Sequence, residues 1–181
     1  MAIFVDIVGA AVIVGILFLS IFGMNLNLNQ ANYNKTFSLI TQTNAVALAR
    51  MIEYDFVKMG YHSTKPFILA ATAASITFKA YLRNVGTVNT VQYYVGPSSA
   101  LGTTKNPRDF MVYRVEDGNV IAANLGLTSL SLTYFDKDGF TTLAPDSIMS
   151  IDVKFTVESP EPADTSYAAA FWEKRIYPKN L

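Results

Sequence analysis

The stretch AIFVDIVGAAVIVGILFLSIFG, residues 2–23, is an apolar run broken by a single charge, Asp6. At about 1.5 Å per residue it reaches roughly 33 Å as a helix, enough to cross the hydrocarbon core of a bilayer. A secretory signal would be shorter, would open on lysines or arginines and would close on a small-residue cleavage site, so the segment reads as a retained helix. An ionisable group inside such a helix costs about 3 kcal/mol or more unless it is partnered. Residues 7–34 carry no charge, so the partner of Asp6 is expected on another chain.

Outward from this run the chain stays helical in character. An asparagine-rich stretch (Asn25, Asn27, Asn29, Asn32, Asn34) follows Gly23, polar without charge. From Phe37 to Gly60 the pattern is amphipathic: Phe37, Ile40, Leu48, Met51, Ile52 and Met59 fall on one side at about 100° per residue, with Lys35, Arg50 and Glu53 on the other. No proline occurs between Met1 and Lys65, and Gly60 followed by Pro66 marks a stop. The expectation is one long helix, apolar all round in its first half. Gly9 and Gly15 would weaken a soluble helix, but in lipid small residues permit close approach of neighbouring helices. Asp55 lies inside the apolar stripe and is expected to accept hydrogen bonds from backbone amides of the folded domain.

After Ser75 the pattern changes to short β-branched and aromatic runs between turn residues. Strands are expected at 75–82, 90–95, 109–116, 130–134, 150–157 and 167–177, with Asp117-Gly118 and Asp138-Gly139 as hairpin signals. Ile76, Phe78, Ala80 and Leu82 alternate with polar residues, as do Ile151, Val153, Phe155 and Val157, which describes a sheet covered on one face. The cover is the amphipathic half of the helix, through a helix–sheet core of Phe37, Ile40, Leu48, Ile52, Asp55 and Met59. Residues 158–164, rich in proline and acid, read as a loop. The fold class is therefore α+β, a long N-terminal helix packed on an antiparallel sheet. Its parts are residues 1–24 as a transmembrane or filament-core helix, 25–62 as its amphipathic continuation and 63–181 as the sheet domain.

Composition narrows the function. Fourteen basic and fourteen acidic residues give a formal charge of zero without long runs, so no nucleic-acid partner is expected. The absence of cysteine excludes disulfides, thiolate catalysis and Cys-ligated metals. His62 has no second histidine to form a ligand set, and Trp172 reads as strand packing. At Asp136-Lys137-Asp138-Gly139 two carboxylates fall short of the six to eight oxygens calcium takes, and the segment is already explained as a turn. Asn34-Lys35-Thr36 fits a glycosylation sequon. No nucleophile elbow, phosphate loop, zinc pair or dinucleotide fingerprint is present, so no enzyme, cofactor or metal is expected.

The order of these features resembles the type IV pilin and pseudopilin superfamily, and in particular the minor pilins and the pseudopilins of type II secretion. The likeness rests on the acidic residue near the start of an apolar helix and on Ala49-Arg50-Met51-Ile52-Glu53-Tyr54-Asp55-Phe56-Val57-Lys58-Met59-Gly60-Tyr61. It continues through Tyr93-Tyr94, Val112-Tyr113-Arg114-Val115, Leu132-Thr133-Tyr134-Phe135-Asp136 and the C-terminal Arg175-Ile176-Tyr177-Pro178. The resemblance implies a structural subunit held in the inner membrane before assembly and in an extracellular or periplasmic filament afterwards, with copies of itself or other pilin subunits as partners. In that family the acid at the fifth mature position neutralises the terminal amine of a neighbour. Removal of Met1, which Ala2 favours, makes Asp6 the fifth residue, although it is aspartate where the family has glutamate. Ala2, Asp6, Gly9 and Gly15 are then the assembly residues. The alternative is a monomeric membrane-anchored binding or adhesion domain.

Overall fold

A computed structural model describes residues 2–82, 86–98, 104–162 and 166–181. Met1, Ala163 and Asp164 of the expected loop, and the side chain of Ala2, lie outside the described residues. Helix α1 runs unbroken from Ala2 to Val57. Seven strands follow: β1 (Ile68–Thr72), β2 (Ser75–Ala80), β3 (Asn89–Val95), β4 (Phe110–Glu116), β5 (Asn119–Phe135), β6 (Ser150–Glu158) and β7 (Ala169–Ile176). They form one antiparallel sheet in sequence order, so every strand is hydrogen-bonded to its neighbour in the chain. The arrangement is α+β, with the C-terminal part of α1 lying against β7, β5 and β6.

The sheet curls around the helix, and β5 is the reason. Its first half pairs with β4 and its second with β6. The change of partner falls at Gly126, whose φ of +72 few other residues adopt, and where a Cβ would stand 2.2 Å from the carbonyl oxygen of Glu158. The edge of β5 that β4 leaves free is taken by the tip of the β1–β2 hairpin. There the Leu132 amide donates to the Ala73 carbonyl at 2.8 Å, and the Tyr134 hydroxyl donates to the Thr72 carbonyl at 2.7 Å. The two-residue turn between β4 and β5 is Asp117-Gly118, both at positive φ, which matches the twist of paired strands. Asp138-Gly139 instead opens a longer connection. Asp136 Oδ1 accepts from the amides of Asp138 and Phe140, and a 3₁₀ turn at Pro145–Ser147 precedes β6.

The core lies between the inner face of the sheet and one stripe of α1. Ala45, Leu48, Ala49, Ile52 and Phe56 meet Ile76, Phe78, Val91, Val153 and Phe155, with Phe56 edge-on to both Phe78 and Tyr93 at 5.6 Å. Alanines at 45 and 49, one turn apart, bring the helix backbone close to the strands. Trp172 stacks on Phe155 at 5.0 Å.

Two expected core positions are corrected. Phe37 is only half-buried and Ile40 is 41% exposed, because the sheet does not reach that far along the helix and burial begins at Thr41. Phe37 stacks on Tyr33 within the helix instead. Met59 is fully buried, but past the end of the helix. The Lys58 and Met59 amides close a final turn onto Asp55 and Phe56, Met59 forms a bridge with Ala80, and Gly60 at φ +74 turns the chain away. A Cβ at Gly60 would stand 2.9 Å from the Asn180 carbonyl oxygen.

Candidate assembly helix and its anchorage

A helix is apolar all round only where something apolar surrounds it. No residue from Ile3 to Ile40 is buried within this chain, and Ile3, Phe4, Phe18 and Leu19 are each more than two-thirds exposed. This one helix is long and apolar enough to cross a membrane. In the apolar run Ser20 turns back on the helix, its Oγ donating to the Ile16 carbonyl at 2.9 Å, which would spare lipid an unpaired hydroxyl.

The four residues expected to carry assembly share this projecting segment. Ala2 begins the helix, and Asp6 is exposed with no hydrogen bond or ion pair among the described residues. A Cβ placed on Gly9 or Gly15 would meet nothing within 4 Å. Neither glycine is therefore required by packing within the chain. Asn34, of the sequon, is exposed on the same helix.

Where the helix meets the sheet, a buried ionic cluster fastens it. Asp55 Oδ2 accepts from the Tyr93 hydroxyl at 2.5 Å and from Arg114 Nε at 2.6 Å, while Oδ1 accepts from Arg114 Nη2 at 3.3 Å. Arg114 Nη1 donates to Glu116 Oε2 at 2.8 Å. Tyr93 and Arg114 are direct cross-strand partners on β3 and β4, and Asp55 descends on them from α1 at 1% exposure. Burial, then the charge of Asp55, push the Tyr93 hydroxyl well above the usual tyrosine range. For Arg114 burial acts downward, but the hydrogen bonds to Asp55 and Glu116 outweigh it and hold the guanidinium charged.

This corrects the role expected of Asp55, whose carboxylate oxygens are taken by side chains and not by backbone amides. Tyr93, Arg114 and Glu116 were not picked out as a site in the sequence. A signal existed: Val112, Arg114 and Glu116 share one face of a strand whose Val112 points inward, so a charge there needs an opposite charge from the element above. With both Asp55 oxygens engaged and the phenol held neutral, the cluster is suited to fastening.

A second ion pair, Glu53 with Lys174 at 3.1 Å, ties the same helix to β7 at the surface. Among the described residues no group of three or more acidic or histidine side chains is placed to hold a metal. No family model, curated protein or solved structure compared with this chain matches it.

Proposed function

We propose that this chain is a pilin-like structural subunit, anchored in the inner membrane by α1 and assembled through that helix into an extracellular or periplasmic filament. The observation that carries the reading is a length mismatch. Exposed apolar side chains extend from Ile3 to Leu28 and reappear at Leu39 and Ile40. At about 1.5 Å per residue Ile40 stands roughly 55 Å along the helix from Ile3, against a hydrocarbon core of about 30 Å. A bilayer accounts for one part of this surface. The rest calls for protein, and neighbouring copies of the same helix supply a surface of the same character.

In the assembled state Asp6 and the terminal amine of a neighbour form a pair removed from water that fixes axial register. Such a pair is close to neutral for stability and still selects one arrangement over others. Gly9 and Gly15, free of contacts within the chain, let neighbouring backbones approach. The other reading, a monomeric tethered binding domain, leaves Leu39 and Ile40 in water without a role.

The test is electron microscopy of material sheared from expressing cells, with mass spectrometry of its subunits. Filaments containing this chain are expected, and their loss in Asp6→Ala with membrane insertion intact. Asp6→Glu is expected to be tolerated better than Asp6→Asn. Normal filament yield from Asp6→Ala would remove Asp6 from the mechanism, and absence of any filament would favour the tethered monomer.

A further inference from the structure

The zero net charge of the chain conceals an uneven distribution. Several carboxylates are engaged by particular cations: Asp55 and Glu116 by Arg114, Glu158 by Arg108, Glu161 by Lys105, Glu173 and Asp152 by Lys154, and Glu53 by Lys174. Lys35, Arg50, Lys58, Lys65, Lys79, Arg175 and Lys179 have no carboxylate side chain as partner among the described residues. Of these, Lys58, Lys79 and Lys179 lie where α1 ends, away from the projecting apolar segment. Lys58 Nζ donates to the Tyr54 hydroxyl at 2.5 Å and to the Leu82 carbonyl at 3.4 Å, 3.8 Å from the centre of the Tyr54 ring, and Lys79 Nζ donates to the Thr64 carbonyl at 3.4 Å.

Lys58 and Lys179 line an open groove of about 370 Å³ together with Val57, Tyr61, Tyr81 and Asn180. Its aromatic wall is held in place. The Tyr81 hydroxyl accepts from the Gly86 amide at 2.9 Å, His62 meets Tyr61 edge-on at 4.4 Å, and Tyr61 and Tyr81 are 6.2 Å apart. Asn180 is fixed by donation to the Met59 carbonyl at 3.4 Å. Lys79 is two residues before Tyr81 on the same outward side of the chain.

We propose that this groove is a binding site for an anionic glycan, a chain of sugar units bearing carboxylate or sulfate. The chemistry follows from the lining. The C–H face of a pyranose covers a tyrosine ring and buries carbon against carbon, the asparagine and backbone meet hydroxyls, and the lysines meet the acid group through charge-assisted hydrogen bonds. The volume suits one or two sugar units. A single-stranded nucleic acid fits less well. Successive bases need successive open ring faces, whereas Tyr61 stands at 90° to His62 and at 61° to Tyr81. The site does not depend on whether the chain forms filaments.

The test uses the full chain dispersed in a neutral detergent and fluorescence anisotropy of labelled oligogalacturonate, with maltohexaose, oligo-dT and an octaglutamate peptide as comparison probes. Oligogalacturonate is expected to bind, more weakly as salt rises, with maltohexaose at least tenfold weaker. Lys58→Gln/Lys179→Gln and Tyr61→Ala are each expected to weaken binding about tenfold. Lys179→Gln alone, on an exposed side chain near the chain end, gives a readout if Lys58→Gln disturbs the fold, and is expected to weaken binding severalfold. The proposal is overturned by no oligogalacturonate binding at millimolar concentration, by equal affinity for maltohexaose, by unchanged affinity in Lys179→Gln and Tyr61→Ala, or by tighter binding of oligo-dT or octaglutamate.

Discussion

Asp55 holds two elements together with one carboxylate, and its removal would leave the Arg114 guanidinium, in a nearly dry site, with Glu116 as its only acidic partner among the described residues. Breaking one side of such a pair costs about 3–5 kcal/mol, so Asp55→Ala is expected to lower the melting temperature of the detergent-dispersed chain by far more than Tyr93→Phe. The latter removes one hydrogen bond, worth about 1–3 kcal/mol. Leu48→Asp and Ile52→Asp, each placing a carboxylate in the helix–sheet core, are expected to destabilise by several kcal/mol, of order 3. Arg50→Asp, two residues from either and exposed, is expected to change the melting temperature little. Equal effects from these two classes would mean that the helix faces are misassigned. The buried phenols give a pH signature. Burial raises both Tyr93 and Tyr134 above the ordinary tyrosine value, so the folded chain holds these protons more tightly than the unfolded one. The stability this represents is complete below about pH 10 and is lost as pH climbs above it, by roughly 1.4 kcal/mol per unit for each group. Thermal melts between pH 9 and 12 are expected to fall more steeply for the native chain than for Tyr134→Phe.

At the scale of elements, legibility followed locality. Strands with strict alternation, β2 and β6, were readable within a residue or two, and α1 was readable because nothing in its sequence interrupts it. β1 was missed because Ile68-Leu69-Ala70-Ala71-Thr72 is short and carries little β-branched character; its pairing with β2 makes it a strand. The first half of β5 was missed because Ala122, Ala123, Asn124 and Gly126 resemble a turn. Only the structure shows Gly126 as the bulge at which one strand changes partners. The Asp55 cluster joins residues 38 and 59 positions apart, a distance over which no periodicity extends. The assembly residues Ala2, Asp6, Gly9 and Gly15 were chosen from composition and resemblance, and contacts among the described residues give Asp6, Gly9 and Gly15 no role. Gly126→Ala is expected to destabilise strongly, since the added carbon would meet the Glu158 carbonyl and the backbone angle is unfavourable. Melting temperature checks it, with Gly118→Ala, where there is open space but the same sign of φ, as the milder comparison.

At the scale of the whole molecule, a folded unit is joined to a rod that the unit does not touch. Because burial starts at Thr41, removal of residues 1–30 is expected to leave a soluble, cooperatively folding monomer, read by size exclusion and by a single thermal transition. An insoluble or unfolded product would show that the sheet depends on the rod or on neighbouring copies. The placement of α1 against β7 also has a bearing on synthesis. The helix rests on strands made later, and Leu48, Ile52 and Phe56 leave the ribosome with Ile151, Val153 and Phe155 of β6, which share their core, still about a hundred residues away. At about 5–20 residues per second that interval lasts on the order of ten seconds. Throughout it the apolar rod is available for insertion while the apolar stripe behind it remains uncovered. On the proposed membrane anchorage, delivery runs ahead of folding, and whatever escorts the nascent chain has to shield that stripe until the later strands arrive.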